Sequence, residues 1–114
     1  MSDTTTNDGL FFTIKNDCDS AANGFAVGDK LYLLKIDSAT FMRPVFQGDL
    51  AAGEDVQVMT GANSDGNGVV LFVPPVSSSG QAVEMTVSPN ETVKVPSDFC
   101  GSSGAADRSQ LRAD

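Results

Sequence analysis

The chain has 114 residues, a formal net charge of −8 and an isoelectric point near 4.2. Its four Lys and three Arg are scattered, which argues against nucleic acid or an anionic membrane surface as a partner, since both require clustered cations. With no His in the chain, a Ser-His-Asp triad, a Cys-His pair and a His-ligated zinc site are excluded, and two Cys cannot alone make a four-Cys metal site.

The length suits one domain, and a domain of this size buries roughly two thirds of the surface its unfolded chain exposes. Charged residues make up 19% of the chain, below the ~25% common in soluble domains, so much of the surface is neutral Ser, Thr, Asn and Gly. The acids are twelve Asp against three Glu. Asp serves turns and caps where Glu serves helices, so the chain reads as turn-rich and helix-poor.

Residues 1–9 are polar and patternless and read as an N-terminal arm. Met1–Asp8 shows neither the basic start nor the apolar stretch of an export signal. The expectation is synthesis in the cytoplasm without a signal peptide. Leu10–Lys15 reads as the first strand, and Asn16–Gly24 as a loop. Phe25–Val27 is a short apolar touch before an expected turn at Gly28-Asp29. Lys30–Ile36 is apolar on both alternating sets, which suits a central or doubly covered strand.

Asp37–Thr40 reads as a turn and Phe41–Gln47 as a strand. Pro44 cannot donate a ladder bond, so that strand belongs at an edge or a bulge. Gly48-Asp49 and Ala52–Glu54 punctuate an expected hairpin into Asp55–Thr60. Asn63–Gly68 is a polar turn, expected as a hairpin feeding five consecutive apolar residues, Val69–Val73, before Pro74-Pro75. In Gln81–Ser88, Val83, Met85 and Val87 alternate with Glu84, Thr86 and Ser88, as a half-buried strand does. Glu91–Pro96 repeats the alternation. Residues 101–114 read as a polar C-terminal arm, with one helical turn expected over Ala105–Arg112.

Seven to eight short strands with turn signals roughly every 8–12 residues define an all-β domain over residues 10–100: an antiparallel β-sandwich or small barrel. The aromatic residues, seven Phe and Tyr32, all fall in or beside strands and read as core.

The candidate sites are few. Asn63-x-Asp65-x-Asn67-Gly68 resembles the first half of a calcium loop, with oxygen side chains at positions one, three and five and Gly at six. The twelfth position is Pro74 where a bidentate Glu is needed, and Asp65-Gly66 and Asn67-Gly68 are also favoured turn pairs. A cation at Asn63, Asp65 and Asn67 would need further oxygens, for which Asp17, Asp19 and Asp55 are candidates. Cys18 and Cys100 flank the first and last strands and read either as a disulfide or as two reduced thiols. Asn90-Glu91-Thr92 fits the N-glycosylation pattern and reads as chance in a chain with no export signal.

No catalytic residue stands out, because the acids offer no means of choosing a facing pair. The leading expectation is a non-enzymatic structural protein acting through subunit contacts and terminal arms. A virion component, such as a capsid decoration or coat-stabilising protein, fits best: a homo-oligomer needing no cofactor and ending in an extracellular assembly after release. The alternative is a small lectin-like or calcium-dependent binding module using the Asn63–Gly68 loop.

Overall fold

The structure, a computed structural model, describes residues 9–36, 39–76 and 80–101; the side chains of residues 32–36 and 39–41 fall outside that description. Of the expected arms, residues 1–9 and 101–114, all but Gly9 and Gly101 lie outside the described residues, as does the helical turn expected over Ala105–Arg112; of the expected Asp37–Thr40 turn, Asp37 and Ser38 lie outside them, while Ala39 and Thr40 belong to a strand rather than a turn.

Among the described residues, seven strands form two sheets. They are β1 (Leu10–Lys15), β2 (Ala22–Ile36), β3 (Ala39–Leu50), β4 (Asp55–Thr60), β5 (Gly68–Val73), β6 (Val83–Val87) and β7 (Thr92–Lys94). A 3₁₀ turn at Ser97–Phe99 follows them. One sheet has the order β4-β1-β7, the other β3-β2-β5-β6. The protein is a small β-sandwich.

Alternation explains how each sheet faces the core. In β1, Leu10, Phe12 and Ile14 are buried while Phe11, Thr13 and Lys15 point away. From the facing sheet come Phe25 and Val27 of β2, Val70 and Phe72 of β5, and Val87 of β6. Phe25 joins the two ends of this core, its ring centroid 5.2 Å from that of Phe46 and 6.1 Å from that of Phe99. β5 has a strand on either side, and its reverse face is also covered: Val73 packs with Ala26 and Leu71 in a second small cluster. Burial on both faces is why that strand is a continuous apolar run rather than an alternating one.

Four expectations are corrected. Gly28-Asp29 is not a turn: it lies inside the 15-residue β2, whose ladder with β3 absorbs the polar pair through register shifts between Val27 and Gly28 and between Asp29 and Leu33. The turns at 51–54 and 63–68 do not close hairpins. Among the described residues β4 pairs only with β1, and its chain neighbours β3 and β5 belong to the other sheet, so both turns carry the chain across the sandwich. Among the described residues the ladders are antiparallel with one exception, β1 with β7, which run parallel through Thr13↔Thr92 and Lys15↔Lys94. Phe11 is not core: it is 51% exposed, beside Met59 at 53%.

Pro44 sits as its chemistry requires, on β3 at the edge of its sheet and beside a register shift.

Candidate functional site

The Asn63–Gly68 turn leaves β4 at the end where Thr60 pairs with Leu10. Its centre is the Asn63 carboxamide. Asn63 Oδ1 accepts the N–H of Asp65 at 2.9 Å and of Asn67 at 3.1 Å. The backbone adds Asn63 N–H to the Asn67 carbonyl at 2.7 Å and Gly66 N–H to the Asn63 carbonyl at 2.9 Å. Gly66 supplies the left-handed position, with φ +83°. Gly68 supplies clearance, since a Cβ there would lie 2.6 Å from Thr60 Cγ2.

The structure thus brings Asn63, Asp65 and Asn67 into one turn, but aims two N–H dipoles at the oxygen a cation would need. Asp17, Asp19 and Asp55 do not come to this turn. Lys15 pairs with Asp55 at the opposite end of the β1–β4 ladder, and β4 rises about 17 Å between its ends. Among the described residues no three Asp, Glu or Cys side chains are grouped so as to hold a metal ion.

Two buried polar side chains do organise their surroundings, and sequence reasoning missed both. Asp29 is fully buried. Its Oδ2 accepts the Gly61 N–H at 2.7 Å and the Arg43 guanidinium at 2.9 Å, and its Oδ1 accepts the Leu31 N–H at 2.8 Å. The carboxylate therefore ties β2 both to the edge strand β3 and to the chain leaving β4 in the other sheet. A charge buried this deeply is tolerated because it is paired and hydrogen-bonded. The signal available in the sequence was an Asp inside an apolar stretch with Arg43 a hairpin's length away.

Asn16 does the same at the other end. It is fully buried; Nδ2 donates to the carbonyls of Ser20 at 2.9 Å and Leu50 at 3.1 Å, and Oδ1 accepts the Cys18 N–H at 3.0 Å. Cys18 and Cys100 are joined as a disulfide, their Cα atoms 6.2 Å apart, and Asn16 Oδ1 lies 3.8 Å from Cys100 Sγ. The bond fastens the loop after β1 to the 3₁₀ turn that seats Phe99 in the core.

The same end gathers the exposed acids. Lys15 faces Asp55, the Asn16 N–H bonds the Glu54 carbonyl, and Asp49 Oδ1 accepts the Gly24 N–H. Asp17, Asp19, Asp49, Glu54, Asp55 and Asp98 are all exposed there. Asp17 is bridged by Lys94 at 3.1 Å.

At the far end, β2 and β3 remain paired from Leu33↔Met42 to Ile36↔Ala39. The β5 ladder leaves β2 at Asp29↔Val70, and β4 has ended at Thr60. Beyond that point β2 and β3 pair only with each other among the described residues. Comparison of the chain with protein-family models, with curated proteins and with solved structures returned no match.

Proposed function

We propose that this protein is a non-enzymatic structural subunit that works by assembly, of the kind a capsid decoration or coat-stabilising protein represents. The observation that carries the reading is the β2–β3 ribbon. Past the last β2–β5 rung it pairs with no third strand among the described residues, and its sequence over Leu31–Ile36 and Ala39–Met42 is mostly apolar. An isolated two-stranded ribbon is at best marginally stable in water, so such an extension calls for a partner surface. The Phe11–Met59 pair on the outer face of the three-stranded sheet offers a second, smaller contact. The Cys18–Cys100 disulfide suits an oxidising setting such as the outside of a released particle.

Sedimentation velocity on the full chain over a concentration series tests this reading. Mass-action growth of a larger species is the expected result. A single monomeric boundary up to about 0.1 mM, where even a weak specific contact is populated, would sink it.

A further inference from the structure

The turn between β6 and β7 is closed by the Glu91 N–H, which donates to the Ser88 carbonyl at 3.1 Å. Pro89 and Asn90 take its two central positions. Asn90 has φ +64°, the left-handed torsion that a type II turn needs after Pro and that Asn tolerates better than most side-chain-bearing residues. The Glu91 carboxylate turns back to accept the Ser88 N–H at 2.7 Å. Asn90, Glu91 and Thr92 are all exposed. They form the chain's one Asn-x-Ser/Thr acceptor pattern, on a surface turn and with no Pro at the middle position.

The same turn is fastened to β1. The Asn90 N–H donates to the Phe11 carbonyl at 2.7 Å, and the Thr13 N–H to the Glu91 carbonyl at 2.8 Å. Phe11 therefore has Asn90 on one side and, on the other, its β4 partner Met59. The three residues form a row across the sheet, at the roughly 5 Å spacing of neighbouring strands. Phe11 and Met59 are each about half exposed. The rest of that outer face is polar: Thr13, Gln57 and Thr92, then Lys15, Asp55 and Lys94.

We infer that Asn90 carries an Asn-linked glycan whose first sugar lies over Phe11 and Met59. The donor is a lipid-linked diphospho-oligosaccharide. Asn90 Nδ2 bonds to the anomeric carbon, the bond from that carbon to the diphosphate oxygen breaks, and the amide gives up one proton to the transferase. Two observations independent of the acceptor pattern support the assignment. The Cys18–Cys100 disulfide belongs to the oxidising secretory lumen, where such glycans are added. And a sugar rooted at Asn90 stands one strand away from an exposed aromatic ring. The C–H face of the sugar removes that ring from water while its hydroxyls stay solvated. The inference goes beyond the assembly reading, which the β2–β3 ribbon carries, and gives the Phe11–Met59 pair a nearer occupant than a neighbouring subunit.

The test makes the full chain twice: behind a secretory leader in a eukaryotic host, and in an oxidising bacterial compartment that adds no such glycan. Wild type is compared with Thr92→Ala, Thr92→Ser and the double variant Phe11→Ser/Met59→Ser. Peptide mass spectrometry locates the sugar, and thermal unfolding of each glycosylated and bare pair reads its effect. Wild type, Thr92→Ser and the double variant should carry the glycan on Asn90, and Thr92→Ala should not. Glycosylated wild type should melt a few degrees above its bare counterpart, and most of that gap should be lost in the double variant. An unmodified Asn90 in folded, disulfide-bonded wild type from the eukaryotic host, or a glycan that persists in Thr92→Ala, overturns the acceptor assignment. A gap of equal size in the double variant, or no gap in the wild type, overturns the cover over Phe11 and Met59. Association is not the readout of any arm, so either failure is distinct from failure of the assembly reading in the sedimentation experiment.

Discussion

Replacing Cys18 and Cys100 together by Ser removes a covalent link between residues 82 apart in the chain. In the chain-entropy description, closing a loop of that length restricts the unfolded ensemble by about 15 cal/mol/K, or about 4.5 kcal/mol at 25 °C. The native side changes little, because other bonds hold the same junction. Asn16 still joins Ser20, Leu50 and the Cys18 amide, and the Gly101 N–H still donates to the Ala21 carbonyl. The loss should therefore appear as a less compact unfolded state rather than a looser fold. Urea titration should show stability lower by about 3–5 kcal/mol and a larger slope, since an uncrosslinked chain exposes more surface on unfolding. For a domain of this size the melting temperature should fall by roughly 15–30 °C. Reducing the wild type should reproduce the double variant. A change below about 1 kcal/mol, in a wild type whose mass shows the bond formed, would refute the entropic reasoning. Two free thiols in the native protein, after isolation under non-reducing conditions, would refute the pairing itself.

Asp29→Asn should cost about 2–4 kcal/mol in urea unfolding, because an amide there loses the charge facing Arg43 and cannot satisfy all three donors around it. Thr60→Val should instead add about 1 kcal/mol, since the buried Thr60 hydroxyl has no hydrogen-bond partner among the described residues and a methyl would fill its place. Asn63→Ala should destabilise by about 1–2 kcal/mol, whereas Asp65→Ala should leave both the melting temperature and the calorimetric response to calcium unchanged; a calcium-dependent rise in melting temperature abolished by Asp65→Ala would restore the cation reading. Glu84→Gln should cost less than about 1 kcal/mol by the same titration, as Lys30 and Glu84 form their ion pair at the surface.

Strands whose two faces meet different environments were legible from sequence. Val83, Met85 and Val87 are more buried than Glu84 and Thr86, as their alternation requires, and the unbroken run Val69–Val73 marks a strand covered on both sides. What failed was anything decided between strands. Gly28-Asp29 carries turn chemistry, yet the local preference is overridden because Asp29 finds three donors in the fold. The turns at 51–54 and 63–68 have the composition of hairpins, and nothing local says that the next strand joins the other sheet. The exposure of Phe11 follows from the phase of β1: once Phe12 and Ile14 face the core, its neighbour must face out. The weight of the Asn63 turn also shifted. Its spacing imitates ion ligation, while its hydrogen bonds show the first amide side chain serving as the turn's internal cap.

The parallel pairing of β1 with β7 has a consequence for the order of events at synthesis. The four-stranded sheet draws on a single span, Ala22–Val87, and can form as that span emerges. The three-stranded sheet takes its strands from the beginning, middle and end of the chain, and it cannot be completed until Thr92–Lys94 is made. Until then Phe25, Val27, Val70 and Phe72 face a sheet of two strands, β1 and β4, that lacks its third. Pairing across such sequence distance is slow. The last strand to be made thus closes the sheet that the first strand began, and the core face is complete only when the two ends of the domain meet.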